Sequence, residues 1–290
     1  MTRPLPDLSV RQLEYLVAVA ESPTWSAAAS TVGVSTSALS QGLAELERRL
    51  GVPVFERSGR RKQLADHAGP VLDHARRVLA MSGDLADWAE RTRTGSIGRL
   101  RVGMIDVAAT VHFAEVLRRF RDLRPEVDLR LVVAPSGELL GQLRRGELDV
   151  AVCVRDGSDR DLIVEDLLVE HLAVFGPADR PAGPPDRWGP WVLFPRGSRT
   201  RVLVEAGLRR LGAPVDVVAE SNQPDVLRQM VRLELGWTVL PVVQAASGPD
   251  PLSPLVADPV ATRHLAAHRR AGAVLPPAAD DLGSMLLTGA

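Results

Sequence analysis

The chain has 290 residues, of which 45% are hydrophobic and 24% are charged, with a net charge of −1; this balance excludes a disordered chain and suggests one to three domains. A single cysteine, Cys153, excludes both an internal disulfide framework and a zinc site built on cysteine pairs. No apolar run reaches the roughly 20 residues that cross a bilayer, and the N-terminus lacks a secretion signal, so we expect a cytoplasmic protein without membrane contact.

The first fifty residues predict three consecutive helices, each preceded by a serine or threonine that can cap it. The caps and the turns between the helices are, in order, Ser9 with Gln12, Ser22-Pro23, Thr24, Gly33-Val34 and Ser35. The third helix extends to about Leu50, and its leucines are spaced four, three and four apart, which places them on one face. The opposite face carries short or polar side chains.

Two capped helices joined by a glycine turn, the second with a short polar outer face, are typical of a helix-turn-helix that binds DNA. Small or amide side chains near the start of the second helix reach base edges without holding the helix away from the major groove. The helical residues expected at DNA are Thr24, Ser26, Ser35, Thr36, Ser37, Ser40, Gln41 and Arg48. The alternative is a small helical bundle with a solvated polar face.

The segment after the third helix predicts two short strands around Ser58-Gly59, which form a basic wing. Arg57, Arg60 and Arg61 in this wing are expected to hold the DNA backbone. Residues 1–65 carry a net charge of +2, whereas the remainder carries −3, so the charge is unevenly placed toward this N-terminal region.

A long helical pattern then extends from Asp66, the expected cap, to about Arg93, with apolar positions alternating four and three apart. We expect this seam to join two copies of the chain, because paired DNA-binding modules suit paired half-sites. The residues expected in the dimer contact are Val71, Ala75, Val78 and Leu85. The alternative is that the seam packs onto the same chain.

The remaining sequence alternates strands and helices, which predicts a mostly parallel sheet covered on both faces. Strands are predicted at 100–104, 127–133, 148–154, 171–175, 191–194, 215–220 and 237–241, and helices at 109–123, 136–145, 199–211 and 223–234. The proline-rich stretches at 249–259 and 276–277 are predicted to be loops. Two such α/β lobes leave a cleft outside the carboxyl ends of the strands, where ligands bind.

Other chemistry-bearing residues have plain interpretations. His264 and His268 have the spacing of metal ligands on a helix, but Arg269-Arg270 would repel a cation, so a surface pair is expected. Cys153 lies in an apolar strand and is expected to be a buried, inert thiol. The sequence contains none of the common hydrolase, nucleotide-binding or zinc-protease motifs, and we expect neither an enzyme nor a cofactor nor a metal.

The run 8–61 resembles, in order and spacing, the DNA-binding head of LysR-type transcriptional regulators. The positions that carry the resemblance include Ala27-Ala28, Val34-Ser35, Ala38-Leu39-Ser40, Leu46-Glu47, Leu50-Gly51 and Val54-Phe55-Glu56-Arg57. Residues 120–125, 136–140, 145–149 and 235–241 resemble landmarks of the family's effector-binding domain, so the resemblance covers nearly the whole chain.

Thr36 stands where the family usually has glutamine, and Gly42 is expected to loosen its helix by about 1 kcal/mol relative to alanine.

The resemblance implies an α/β fold: a winged helix-turn-helix at 1–65, a linker helix at 66–94, and a two-lobed Rossmann-like effector domain of periplasmic-binding-protein type at 95–290. One lobe comprises about 95–175 with 250–290, and the other about 176–249. The implied partners are double-stranded promoter DNA, a small-molecule effector, a homodimer or homotetramer, and RNA polymerase. Two alternatives are a ligand-independent regulator with a degenerate pocket and a solute-binding protein.

Carried over by position, the effector site is expected to involve Ile105, Asp106, Val107, Pro135, Ser136, Pro195, Arg196, Gly197, Ser198 and Asn222. Arg196 and Arg199 are suited to an anion at a helix N-terminus. Asp106 is equally suited to an amine, or to pairing with an arginine. The charge of the effector therefore stays open at this point.

Overall fold

The computed structural model describes residues 7–58, 61–94, 98–157, 159–177, 183–247 and 251–289. It divides into two compact units, residues 1–93 with 144–147 and residues 94–143 with 148–290, and each is described separately below. The helices are α1 Val10–Glu21, α2 Trp25–Thr31, α3 Thr36–Leu50, α4 Gly69–Thr94, α5 Ala114–Leu123, α6 Ser136–Arg144, α7 Arg199–Arg210, α8 Pro224–Arg232, α9 Val242–Ala246 and α10 Ala278–Thr288. The strands are β1 Phe55–Ser58, β2 Arg61–Leu64, β3 Arg99–Met104, β4 Asp128–Val133, β5 Val150–Arg155, β6 Leu162–Phe175, β7 Trp191–Leu193, β8 Val217–Glu220, β9 Thr238–Pro241 and β10 Ala261–Arg270.

The first unit contains the three predicted helices and the two-stranded wing, and the predicted caps are confirmed. Ser9, Thr24 and Ser35 each accept a hydrogen bond from a backbone N–H in the first turn of the helix that follows. The apolar face of α3 is completely buried at Leu39, Leu43 and Leu46. The wing is fastened to α3 because one carboxylate oxygen of Glu47 accepts the N–H groups of Val54 and Phe55, both at 2.8 Å.

Gly42 has a packing role that differs from the sequence prediction. A Cβ atom at this position would lie 2.7 Å from the ring of Tyr15, so glycine allows α1 to approach α3 closely. The expected loosening of α3 is therefore accompanied by a contact that alanine would obstruct.

The N-terminal half of α4 packs into the core of its own chain, which corrects part of the predicted dimer seam. Ala75 is completely buried in that core, and Val71 and Val78 are half-buried against it. The large apolar side chains exposed on α4 are Met81, Leu85 and Trp88, and of these only Leu85 belongs to the predicted dimer contact. Asp66 does not cap α4, because it lies inside a short 3-10 turn, Asp66–Ala68, that precedes the helix.

The second unit is built on a six-stranded sheet with the order β4-β3-β5-β10-β6-β9. The pairs β3–β4 and β3–β5 are parallel, whereas β5–β10, β10–β6 and β6–β9 are antiparallel. The sheet is thus mixed, and the prediction of a mostly parallel sheet was wrong. A second, parallel pair, β7–β8, is joined to the start of β9 by a bridge between Trp191 and Trp237.

Three elements of this unit were not predicted: β10, α10 and the short helix α9. β10 occupies the segment that contains His264 and His268, and His268 is completely buried, so the expected surface pair of histidines is wrong. The helix α10 begins directly after Pro276-Pro277, which form a loop as predicted, in a segment for which no helix was predicted. Only the last five residues of the 14-residue strand β6 were predicted.

Hydrophobic packing defines two lobes. The first lobe packs β3, β5, α5, α6 and α10 around one core, to which β10 contributes Leu265 and Ala267. In the second lobe the end of β6 has side chains on both faces: Leu172 and Val174 lie in the core under α7, while Ala173 and Phe175 lie in the core under α8. The strands β6 and β10 belong to both lobes, since the first lobe packs against their other ends.

Candidate nucleic-acid interface and ligand cavity

The outward face of α3 is the candidate nucleic-acid interface. Thr36, Ser37, Ser40 and Gln41 are all exposed, opposite the buried leucines. Because they occupy the first two turns, they lie at the end of the helix whose free N–H groups and dipole favour a phosphate. This face carries hydroxyl and amide side chains, which suits an insertion into the major groove.

Some predicted DNA contacts already have partners within the chain. The hydroxyls of Thr24 and Ser35 accept the N–H groups of Ala27 and Ala38 as helix caps. Arg48 donates from Nε to Glu45 at 2.6 Å, and the hydrogen bonds from Arg48 and Arg49 lower the pKa of Glu45 to about 2. Ser26 is exposed at the first turn of α2.

The wing residues are placed by strand pairing. β1 and β2 are antiparallel, and Arg57 lies opposite Lys62 while Ser58 lies opposite Arg61. Arg60, which we expect at the DNA backbone, lies outside the described residues. The ring of Trp25 on α2 packs against that of Phe55 at 5.1 Å between centroids, which seats the wing on the helices.

A cavity of about 600 Å³ opens between the two lobes of the second unit. It lies at the carboxyl ends of strands: Asp106 follows β3, Pro135 follows β4, Arg196 follows β7 and Asn222 follows β8. The structure brings to this cavity nine of the ten residues predicted for the effector site. The exception is Val107, whose side chain is buried in the core of the first lobe.

Three helices begin at the wall of the cavity. The first residues of α6, α7 and α8, or the residues that cap them, all line it: Ser136, Ser198 with Arg199, and Gln223 with Pro224. Free backbone N–H groups and the helix dipole make such positions favourable for negative charge.

Arg199 is not free to receive an anion, which corrects one of the two sequence interpretations. Its guanidinium donates to Asp159 at 2.8 Å and to the carbonyl of Val154 at 2.6 Å, and it is paired with Asp156 at 2.8 Å. These bonds raise the pKa of Arg199 even though burial opposes the charged form. Arg196 by contrast is exposed at the cavity.

Asp106 is not paired with an arginine within the described part of the chain. One of its carboxylate oxygens accepts a hydrogen bond from Nε2 of Gln244 at 2.7 Å. Burial and the nearby charge of Asp225 raise the pKa of Asp106, and the Gln244 bond only partly offsets them. The carboxylate thus faces the cavity with a neutral partner and an acidic neighbour.

A buried ionic cluster forms one side of the cavity and was missed by the sequence analysis. Arg263 on β10 donates from Nε to Glu170 at 2.6 Å and from Nη1 to the hydroxyl of Thr200 at 2.7 Å. His112 lies 2.8 Å from the other oxygen of Glu170. Burial alone would raise the pKa of Glu170, but the hydrogen bonds from His112 and Arg263 lower it. The sequence offered one signal for this cluster, the charged Arg263, but the segment around it was not predicted to be a strand.

Cys153 is completely buried, as predicted for an inert thiol. Burial raises the pKa of the thiol to about 12, so the reactive thiolate is disfavoured. Its sulfur lies 3.5 Å from Nδ1 of His268, and burial lowers the pKa of that histidine.

Comparison with known proteins decides the family. The model for bacterial regulatory helix-turn-helix proteins of the lysR family matches residues 10–68, and the model for the LysR substrate binding domain matches residues 93–290. The chain belongs to the LysR family. It is therefore a DNA-binding transcriptional regulator with an effector-binding domain, whose partners are promoter DNA, a small effector and further copies of itself. The solute-binding alternative is wrong, because the matched relatives are regulators.

Individual relatives agree with this assignment. The HTH-type transcriptional regulator IlvR of Caulobacter vibrioides is 29% identical over 247 residues, which cover 81% of this chain and 82% of IlvR. The uncharacterized HTH-type transcriptional regulator YfeR of Shigella flexneri is 29% identical over a match that covers 97% of this chain and 96% of YfeR. Among solved structures, a full-length OxyR variant of Pseudomonas aeruginosa has a TM-score of 0.65 and 26% identity, covering 96% of this chain and 94% of that one.

Among the described residues, none of the helices of this LysR-type regulator has the length and apolar character to cross a membrane.

Proposed function

We propose that this LysR-type regulator reads its operator with α3, placing Thr36, Ser37, Ser40 and Gln41 at base edges. The observation that carries the proposal is the exposed polar face of α3 at the capped end of the helix. Thr24, Ser26, Ser35 and Arg48 flank that face, and Arg57, Arg60 and Arg61 hold phosphates from the wing. We also propose that the DNA-binding domain comprises residues 1–65, the linker helix residues 66–94 and the effector domain residues 95–290.

Replacing Gln41 with alanine is expected to change base preference at one position in each half-site. The amide reads a base by two hydrogen bonds, and their loss removes about 1–3 kcal/mol of discrimination at that position. A selection from randomised DNA, carried out at one fixed salt concentration, measures the sequence profile of both proteins.

The matched control is Arg60→Ala. A phosphate contact carries no sequence information, so this variant weakens binding to all sequences alike and makes the salt dependence less steep. An unchanged sequence profile for Gln41→Ala would contradict the role assigned to Gln41.

We further propose that two copies pair through the distal half of α4. Met81, Leu85 and Trp88 are spaced four and three apart, and their exposed fractions are 54%, 58% and 47%. Side chains at this spacing form one stripe along a helix, and an apolar stripe in water favours burial against a second copy. Val71, Ala75 and Val78 then support the contact from within each chain, as part of its core.

A Leu85→Glu, Trp88→Glu double variant is expected to weaken the dimer at least about tenfold, because each buried apolar side chain contributes roughly 1.5–3 kcal/mol. Sedimentation velocity over a range of protein concentrations measures the association. Val10→Glu is the control, since Val10 is 49% exposed on a different helix, α1. Equal dissociation constants for the double variant and the wild-type protein would contradict the proposed contact.

We infer that the cavity binds its effector without catalysing a reaction and that the protein works in the cytoplasm, beside its DNA. What supports this is the regulator family, together with the ion pairs that hold Arg199 and Arg263 at the cavity wall. The alternative of a ligand-independent regulator is tested by thermal unfolding, because a ligand that binds only the folded state raises its midpoint.

A further inference from the structure

The interlobe cavity has an acidic side. Asp106 and Asp225 both line it, and they are close enough for the charge of Asp225 to act on Asp106. Asp225 is 84% exposed and paired with Arg228 at 2.8 Å, whereas Asp106 forms no ion pair in the described ranges. Gln244, which holds Asp106 at 2.7 Å, is itself buried and neutral. A cation beside Asp106 would compensate a charge that has no ion-pair partner in the described ranges.

The same cavity has a positive side. Arg196 lines it and is exposed, without an ion pair among the residues that the structure describes. It lies two residues before Ser198, which caps the 12-residue helix α7. A guanidinium beside a helix N-terminus is a favourable place for a carboxylate.

Apolar groups complete the cavity. Ile105, Val133, Val154 and Phe194 line it together with the charged residues. Its volume of about 600 Å³ lies in the range of sites for small organic ligands. The cavity therefore has places for an ammonium group, a carboxylate and an apolar side chain.

We propose that the effector is a small zwitterion, an amino acid or a close analogue, with its ammonium group on Asp106 and its carboxylate at Arg196 and the start of α7. This inference rests on the proposed function of the cavity as an effector site. An anion without an amine would enter beside two carboxylates, and an amine without a carboxylate would leave Arg196 unpaired. Each partial ligand leaves a polar group of the site unsatisfied, which lowers its affinity.

Three matched sets of compounds test the ligand class on the full-length protein. They are the common L-amino acids, the amines that lack the carboxylate, and the 2-oxo acids that lack the amine. Thermal unfolding identifies binders, and calorimetric titration gives their dissociation constants. We expect at least one amino acid to raise the unfolding midpoint and to bind at least tenfold more tightly than its amine and its 2-oxo acid.

Two variants assign the ends of the ligand. Asp106→Asn is expected to raise the dissociation constant of the amino acid at least tenfold while leaving that of the 2-oxo acid unchanged or lower. Arg196→Gln is expected to remove the preference for the amino acid over its amine. Asp280→Asn is the matched control, because Asp280 is 81% exposed on α10 and away from the cavity wall.

Three results would overturn the zwitterion proposal: a 2-oxo acid that binds as tightly as its amino acid, an amino acid affinity unchanged in Asp106→Asn, or no response to any amino acid. Arg196 is exposed, so its variant tests the proposal even if Asp106→Asn fails to fold. The Gln41 experiment on DNA is independent of these outcomes. A regulator whose Gln41 variant behaves as expected, but whose cavity takes a 2-oxo acid, keeps its proposed function and loses only this ligand class.

Discussion

Replacing Arg263 with methionine is expected to lower the free energy of unfolding of the effector domain by about 3–5 kcal/mol. Arg263 is 4% exposed and donates to Glu170, which is 2% exposed, so the substitution removes the arginine from a buried carboxylate and leaves it with His112. The hydroxyl of Thr200 on α7 also loses its donor. Urea denaturation followed by fluorescence of the full-length protein measures the loss.

This effect is expected to depend on pH in a definite direction. In the wild-type protein the pKa of Glu170 is lowered, so its contribution to stability is complete above the unfolded value of about 4.3 and is lost as pH falls through the folded value. In the variant, burial is no longer offset by Arg263 and the pKa of Glu170 rises. The stability difference between the two proteins therefore narrows as pH falls toward the unfolded value of about 4.3.

Arg118→Met is the matched control, since the Arg118–Glu115 pair has side chains 65% and 72% exposed. Water screens such a pair, and no measurable change is expected. A second comparison replaces Glu170 with leucine in the Arg263→Met background. Removing both charges is expected to restore part of the lost stability, because an unpaired buried charge costs more than a missing pair. A loss below about 1 kcal/mol in Arg263→Met would show that the cluster is not a stabilising ion pair.

The DNA-binding helices could be predicted because their signals are local. Ser9, Thr24 and Ser35 cap helices that begin within a residue of the prediction, and the leucine spacing of α3 matches its buried face. The linker seam was harder to interpret. Helical spacing identifies which residues share a face of α4, but not whether Ala75 is buried by the same chain or by a second copy.

The strand β10 could not be predicted because three of its six buried side chains are charged or polar. Arg263, His268 and Arg270 are all less than 9% exposed, so the strand reads as a polar segment. Their partners come from distant parts of the chain: Glu170 for Arg263, and the carbonyls of Leu143 and Leu148 for Arg270. Hydrophobic periodicity fails where burial is achieved by long-range pairing.

For the cavity, too, the sequence predicts which residues lie there but not which of them are paired. Its lining was largely predictable, because residues after the strands of an α/β sheet gather at one edge. The charge available to a ligand was not, because Arg199 is occupied by Asp156 and Asp159 on the crossover after β5. Only the three-dimensional pairing distinguishes the engaged Arg199 from the exposed Arg196.

Gly207→Ala is expected to destabilise the effector domain by about 3 kcal/mol, at the upper end of the range for overpacking. Gly207 is buried in α7 where this helix crosses the chain before β10, and an added Cβ would overlap the carbonyl oxygen of Val260 and lie 2.7 Å from its Cγ1. Val260 cannot shift easily, because its N–H donates to Leu172 at 2.8 Å and its carbonyl accepts from Arg210 at 2.8 Å.

The control is Gly283→Ala in α10 of the same unit, where an added Cβ meets no atom within 4 Å. Alanine is the better helix former by about 1 kcal/mol, so this variant is expected to be more stable than the wild-type protein. Both substitutions gain the same helix propensity, and their difference in unfolding free energy therefore isolates the clash at Val260. If Gly207→Ala also proved more stable, α7 would have room to move away from Val260, and the close packing of the second lobe would not depend on this glycine.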